Sequence, residues 1–352
     1  MSRYEERLQK DIANLKERLA HLARAVENGF EEAIRAFLAS DEELAAQVIL
    51  ADHPINRASR ELDRLCHSFI AVHLPSAGHL RYVSTVMRAN IELERIGDYA
   101  VTISREAVQL SHRPEGLLAE EIEQMAVQAQ QMLKEANAAF DSGDADRAKG
   151  AMGTAYQVRH TYDAVFADIV IQSEKASEKD LFAYHRVLNM IMRVGDQAKN
   201  ICEETVFATT GETKEAKIYR ILFLDEDNST LAPMAQAVAR KSFPGSGQYD
   251  SAGRRAAPEL DADLASFLTE RGMAVDDLAP KNLNLDHQAL ADYHVIVSMQ
   301  GAVKSYVDPV PFQTVALEWE LEEADKDYQE AYREIAHRVR ELMMSLRGEE
   351  AP

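Results

Sequence analysis

Apolar residues recur every three to four positions through the first part of the chain, which is the spacing of amphipathic α-helices. The first apolar stripe comprises Leu8, Ile12, Leu15, Leu19, Leu22, Val26, Phe30, Ile34 and Phe37. Ser, Asp, Gly and Pro, the residues that cap or stop helices, interrupt the pattern at 39–41, 74–78, 112–116, 141–144 and 173–178. The pattern therefore predicts six helices, most of them about 25 to 35 residues long, forming an all-α bundle over residues 1–208.

The predicted bundle contains an internal repeat. Segment 95–103 (RIGDYAVTI) matches segment 193–201 (RVGDQAKNI), and the two lie in the third and sixth predicted helices. In the second helix, His53 and Asn56 are expected to correspond to His160 and Asp163 in the fifth. A repeat of this kind predicts two tandem three-helix bundles related by a pseudo-twofold axis.

The sequence pattern changes after a polar linker at 209–217 (TTGETKEAK). Residues 218–224 (IYRILFL) form a short apolar run, and 293–298 (YHVIVS) form a second one. Helical patterns lie near 234–240, 259–271 and 327–347. Strands that alternate with helices are typical of a parallel sheet, so residues 218–352 are predicted to form a small α/β domain.

Composition and charge narrow the function classes. The chain has 39 Lys and Arg against 59 Asp and Glu, a formal charge of −20, which disfavours nucleic acid and direct membrane adsorption. The first residues have no apolar signal-peptide region, and no apolar run approaches the length of a membrane span. Cys66 and Cys202, both in predicted helices, are expected to be packed and unreactive. We expect a cytoplasmic protein.

Glu94 and Asp98 are the first candidate site. Two carboxylates four residues apart lie on one helix face, and Gly97 between them allows a neighbouring helix to approach closely. Such a pair can hold a divalent or transition metal ion, with iron, manganese, zinc and magnesium as candidates. The alternative is that these carboxylates form ordinary surface ion pairs with Arg95, Arg88 or Arg81.

Segments 75–81 (PSAGHLR) and 90–98 (NIELERIGD) resemble the motifs of the PhoU family of phosphate-uptake regulators over residues 1–210. The resemblance implies two three-helix bundles with metal clusters at E-x-x-x-D motifs, here Glu94 and Asp98. It implies restraint of phosphate uptake through two partners, a transporter ATPase subunit and a sensor histidine kinase. Membrane association would then be only indirect, and a homodimer is expected.

The chain departs from this family pattern at two positions. Met192 stands where the second motif has its Glu, which leaves Asp196 alone, and His79 replaces the usual Asp of the turn. Because a thioether is a poor ligand for hard cations, we expect the second metal site, at Asp196, to be weak.

The second domain resembles low-molecular-weight tyrosine phosphatases and arsenate reductases. The resemblance rests on segments 228–235 (NSTLAPMA), 250–253 (DSAG), 298–299 (SM) and 318–319 (EW). It implies a phosphate-binding loop of pattern C-x5-R, in which Asp225 replaces the Cys, Leu231 replaces the Arg, and Asn228 and Ser229 lie between. Alignment through Trp319 puts Glu323 at the general-acid position.

These replacements predict a pseudophosphatase. A carboxylate at the centre of the loop repels phosphate, and Asp225 itself is expected to accept the N–H bonds of the loop. The leading hypothesis is a regulatory adaptor whose second domain serves docking or oligomerisation. The acidic run 318–327 is expected to be a solvated lead into the terminal helix.

Two alternatives stay open for the second domain. Asp225 and Asp227 follow an apolar strand as the Asp pair of haloacid-dehalogenase-like phosphatases does, with Lys304 available, so a magnesium-dependent phosphohydrolase using Asp225 is one of them. A receiver domain is disfavoured, because no later apolar run of the sequence ends in the phosphoacceptor Asp that such a domain needs. The other alternative is a sensor whose altered loop binds a cation or a neutral metabolite.

Overall fold

The computed structural model describes residues 3–171, 177–212, 217–321 and 328–348. The chain forms two compact units, Met1–Lys214 and Glu215–Pro352. Over the described residues, the first unit is all-α and the second is α/β. Both fold classes agree with the sequence prediction.

Six helices make up the described part of the first unit. Their bounds are α1 Arg3–Ala39, α2 Glu42–His73, α3 Ala77–Gln109, α4 Leu117–Ser142, α5 Ala145–Ile171 and α6 Glu178–Thr210. Capping residues explain several of these ends. The Asp41 carboxylate accepts the Leu44 N–H at the start of α2, and Gly143 and Gly211, both in the left-handed region, end α4 and α6.

The two halves of the helical unit share one apolar core. Helices α1–α3 pack together, helices α4–α6 pack together, and the α1–α4 and α3–α6 interfaces join the halves. Phe30, Phe37, Leu93 and Ile122 are fully buried in this core. The tandem three-helix arrangement predicted from the sequence repeat is therefore confirmed.

Cys66 and Cys202 are buried in the helical core. Burial raises the pKa of each thiol to about 12, with smaller contributions from Asp63 near Cys66 and from Glu203 near Cys202. Both thiols therefore stay protonated at neutral pH, as expected for packed and unreactive cysteines.

The second unit contains a four-stranded parallel sheet in the order β2-β1-β3-β4. The strands are β1 Tyr219–Asp225, β2 Gly247–Gly253, β3 Val295–Ser298 and β4 Val315–Glu318. The helices are α7 Leu231–Ser242, α8 Ala262–Glu270, α9 His287–Ala291 and α10 Tyr328–Arg347, with a short 3-10 helix at Val303–Ser305.

Both faces of this sheet are covered, which is why its central strands are almost entirely apolar. Phe223 and Val297 pack on one face in a core that includes α7, α8 and α10. Leu222 and Ile296 pack on the other face, with Leu290 and the segment around Val303. The loop before α7 follows directly after the C-terminal end of β1.

The acidic run at 318–327 is expected to be solvated, which holds for the exposed Glu318 and Glu320 but is wrong for the buried Trp319 and Leu321. Glu318 ends β4 and accepts the Val303 N–H at 3.0 Å. Trp319 is 6% exposed and packs on Phe223, with ring centroids 5.7 Å apart. Leu321 is buried in the same core. Residues 322–327 lie outside the described part of the chain.

Candidate functional site

Glu94 and Asp98 lie on α3 beside Gly97, which faces α2. A Cβ placed on Gly97 would lie 3.5 Å from Ile55 Cγ2 and 3.7 Å from Asp52 Oδ1. The hydrogen side chain of Gly97 thus lets α2 bring a third carboxylate, that of Asp52, up to the predicted pair. We call Asp52, Glu94 and Asp98 the acidic cluster.

Asp52 is a site residue that the sequence prediction missed, because the repeat pointed to its neighbour His53. Its Oδ2 accepts a 2.6 Å hydrogen bond from Asn56 Nδ2. Its Oδ1 is buried and has no hydrogen-bond partner among the described residues, and Asn56 Oδ1 is in the same condition. The i, i+4 spacing of Asp52 and Asn56, which matches that of Glu94 and Asp98, is the signal that would have found it.

The carboxylates of the acidic cluster repel one another. Burial, Asp98 and Asp52 together raise the pKa of Glu94 above the usual range, against a smaller opposing effect of Arg95. Burial and Asp52 likewise raise the pKa of Asp98, opposed by Arg105. Since neighbouring carboxylates disfavour ionisation of Glu94 and of Asp98, a cation placed among them would be favoured.

The donors of the cluster fit a hard divalent cation. Three carboxylates and the amide oxygen of Asn56 are the ligand types that magnesium, manganese and iron(II) accept, and Asp52 Oδ1 is an unused buried acceptor. Among the described residues, no three His, Cys, Asp or Glu side chains converge on one point. Coordination would therefore require side-chain rotation within the cluster.

The equivalent position in the second half has lost this acidic character. A Cβ placed on Gly195 would lie 3.4 Å from Val158 Cγ1, so Gly195 faces Val158 as Gly97 faces Ile55. The Arg159 guanidinium donates to Asp196 Oδ1 at 3.0 Å, and Met192 is partly buried against the core. Asp196, the predicted ligand of a second metal site, is thus already part of an ion pair.

The glycine contacts also set the correspondence between the two halves. They align Ile55 with Val158, so Asp52 corresponds to Ala155 and Asn56 to Arg159. This register differs from the predicted pairing of His53 and Asn56 with His160 and Asp163. The side chains of those last two residues lie outside the described part of the structure.

Asp225 lies at the end of β1 and is 2% exposed. Its Oδ1 accepts the Asn228 N–H at 2.5 Å and its Oδ2 accepts the Ala232 N–H at 2.8 Å. The prediction that Asp225 binds the N–H groups of its own loop is therefore confirmed. These donors include the first turn of α7, where a helix N-terminus favours negative charge.

The rest of the β1–α7 loop is held by local contacts. Asn228 is buried with a φ of 54°, and its Nδ2 donates to the Ser251 carbonyl at 3.3 Å. The N–H and hydroxyl of Ser229 both donate to Asp227 Oδ1. Leu231, where the phosphatase resemblance predicts an Arg, is fully buried in the apolar core and offers no polar group to a ligand.

Close packing against β2 restricts the loop further. A Cβ on Gly253 would lie 2.6 Å from the Asn228 nitrogen, so only glycine fits beneath the loop. The predicted general-acid position, Glu323, lies outside the described residues. Asp308 and Pro309, the literal Asp-Pro pair of the sequence, are joined by a cis peptide bond after the 3-10 helix.

These features define a protein of tandem three-helix bundles, with a carboxylate cluster between α2 and α3, extended by a parallel α/β unit. The sequence profile of the PhoU domain matches residues 19–107 and 122–205. The chain belongs to the PhoU family.

Individual relatives agree with this assignment. The phosphate-specific transport system accessory protein PhoU homologue of Pseudomonas aeruginosa is 31% identical over 210 residues, which cover 57% of this chain and 84% of the relative. The solved structure of the phosphate transport system regulatory protein PhoU from Streptococcus pneumoniae has a TM-score of 0.55 at 26% identity. That alignment covers 60% of this chain and 100% of the solved one.

Solved structures of another kind also align with part of this chain. A solved arsenate reductase in the phosphate-binding state aligns with 37% of this chain and 99% of its own length, at 19% identity and a TM-score of 0.32.

Among the described residues, no helix is both long and apolar enough to cross a membrane.

Proposed function

We propose that the chain regulates phosphate uptake, with the helical unit acting on a phosphate transporter. The observation that carries this proposal is the match of that unit, over most of the relatives' length, to proteins named as accessory proteins of the phosphate-specific transport system. The ATPase subunit of the transporter and a sensor histidine kinase are the proposed partners. Homodimerisation stays a prediction.

Phosphate uptake by living cells tests this proposal. In a bacterial host that lacks its own PhoU protein, the full chain should lower the uptake of labelled phosphate under phosphate-rich conditions. The Glu94→Gln/Asp98→Asn variant, made at equal abundance, should fail to do so. Unchanged uptake with the wild-type chain, while a host PhoU gene restores control, would count against the function.

We also propose that the acidic cluster binds one divalent cation per chain. Asp52, Glu94 and Asp98 would hold it, and the raised pKa of Glu94 and of Asp98 supports the assignment. When bound, the cation supplies positive charge that neutralises the cluster and offers free coordination positions to a partner carboxylate. The chain's own residues contribute the orientation: Asn56 fixes the Asp52 carboxylate, and Gly97 keeps α2 close to α3.

For the second unit we propose a catalytically silent role, in docking or in ligand sensing. Support comes from Asp225, since both of its oxygens accept backbone N–H bonds and the side chain is buried. A carboxylate held in this way is a poor nucleophile and a poor magnesium ligand, and Leu231 provides no clamp for phosphate.

The alternative activity, a magnesium-dependent phosphohydrolase using Asp225, has a direct assay. The purified full chain should release no p-nitrophenol from p-nitrophenyl phosphate above background, with or without magnesium. Magnesium-dependent turnover that disappears in Asp225→Asn, and persists in the neighbouring Glu226→Gln control, would overturn the silent role and establish the hydrolase.

A further inference from the structure

The helical unit contains an open cavity of about 250 Å³ between α1, α3 and α4, which Ile201 of α6 also lines. Its apolar lining includes Leu19, Ala23, Leu93 and Phe140. Small side chains such as Ala20 create the space. Close packing is the rule in protein interiors, and a concave apolar site with a few polar groups is the usual form of a small-molecule binding site.

The lining of this cavity has three cationic side chains, Lys16, Arg24 and Lys134, and two carboxylates, Glu27 and Asp141. Lys16 pairs with Asp141, and Lys134 pairs with Glu31, which lies outside the lining, whereas Glu27 accepts a hydrogen bond from the neutral amide of Asn137. The guanidinium of Arg24 has no ion-pair or hydrogen-bond partner within the described ranges. One unpaired cation beside an apolar space complements a ligand with a single negative charge.

A second polar group is available at the lining. The Tyr82 hydroxyl lines the cavity and makes no hydrogen bond to another described residue. Burial, with a contribution from Asp141, raises the pKa of the phenol to about 12. The hydroxyl therefore remains protonated and can donate to a ligand oxygen. The α1 residues of the lining run from Lys16 to Glu27, about 16 Å along the helix at 1.5 Å per residue, so the cavity favours an elongated ligand.

We propose that this cavity binds an elongated monocarboxylic acid with an apolar body. The carboxylate pairs with Arg24, the body packs on Leu19, Ala23 and Leu93, and Tyr82 donates to a hydroxyl or carbonyl oxygen at the far end. Because the lining combines α1 and α3 of the first half with α4 and α6 of the second, a bound ligand contacts both halves of the helical unit. This binding is independent of the acidic cluster and of the phosphate-related function.

Isothermal titration of the purified full chain with octanoate and 8-hydroxyoctanoate tests the proposal. Both should bind saturably at one site, whereas octanol and inorganic phosphate should not. Arg24→Gln should weaken octanoate binding at least tenfold, and Arg35→Gln, an exposed arginine of α1 outside the lining, should leave it unchanged. Tyr82→Phe should weaken 8-hydroxyoctanoate binding selectively.

A cavity-filling variant provides an independent readout. Ala20→Leu places a larger side chain in the lining and should abolish binding of both acids, with circular dichroism confirming the helical fold. Equal binding by wild type, Arg24→Gln and Ala20→Leu would overturn the proposal. Binding of octanol as tight as that of octanoate would overturn the role of Arg24.

Discussion

Asp225 holds the β1–α7 loop with its own carboxylate. Its two oxygens accept the Asn228 and Ala232 N–H groups, so backbone donors that suit an anion are satisfied from within the chain. The residue types at 225 and 231 were enough to predict a missing nucleophile and a missing clamp. The hydrogen bonds of Asp225 were predictable as well, because a buried carboxylate beside a helix N-terminus must find donors.

Changing Asp225 to Asn should destabilise the second unit by about 1–3 kcal/mol, because the amide group faces one N–H donor with its own NH₂ and leaves that donor unpaired. Trp319 is the only tryptophan and lies in the core of this unit, so its fluorescence during urea unfolding reports the change. Glu226→Gln, at an exposed neighbouring position, should have almost no effect. Equal stability of Asp225→Asn and wild type would show that the carboxylate is not needed to hold the loop.

Asp180 has a comparable structural role in the helical unit. It is fully buried, and burial alone would raise its pKa, but donors from Ser111, Ser177 and His112 outweigh burial and hold the pKa below its usual value. A carboxylate whose pKa is lower in the folded state stabilises the protein above its unfolded-state pKa. That stabilisation disappears as the pH falls through the lowered pKa.

Asp180→Asn should therefore destabilise the helical unit by about 1–3 kcal/mol at neutral pH, and the difference from wild type should shrink in acid. Urea unfolding followed by circular dichroism at several pH values measures this. Asp146→Asn, in the exposed first turn of α5, is the matched control. A difference that stays constant down to the most acidic pH tested would refute the assignment.

Helices and strands differ in how well the sequence specified them. The six long helices follow directly from apolar spacing and capping residues, and these predictions are confirmed. Strand β4 was missed because Val315–Glu318 is only four residues long and ends in the acidic Glu318. Its place in the sheet comes from pairing with β3, and Trp319 just after it packs on Phe223, contacts that are distant in sequence.

Gly97 lies at the contact between α2 and α3. Since its Cβ position lies 3.5 Å from Ile55, an ordinary contact, Gly97→Ala should fit and stabilise the helix by about 0.5–1 kcal/mol. Gly97→Leu should instead push α2 away and destabilise the unit. Thermal unfolding followed by circular dichroism distinguishes the two variants. Equal thermal stability of Gly97→Ala and Gly97→Leu would show that the helices are not in close contact there.

At the scale of the whole molecule, the two similar halves of the helical unit have different side chains at equivalent positions. One half has Asp52, Glu94 and Asp98, and the other has Ala155, Met192 and an Asp196 that is paired with Arg159. The sequence repeat predicted Glu94, Asp98 and the loss at Met192. Asp52 and Arg159 come from the neighbouring helices α2 and α5, so only the packing register could assign them to the site.

Manganese binding by the purified full chain, measured by equilibrium dialysis, tests this asymmetry most directly. Wild type should bind one ion per chain, Glu94→Gln should lose binding, and the matched Asp196→Asn variant should retain it. The raised pKa of Glu94 and of Asp98 lets protons compete with the cation for these carboxylates at a higher pH than usual. Binding should therefore weaken as the pH is lowered toward the range in which carboxyl groups titrate. Absence of saturable binding in wild type, or equal loss in Asp196→Asn, would contradict a single cation site at the acidic cluster.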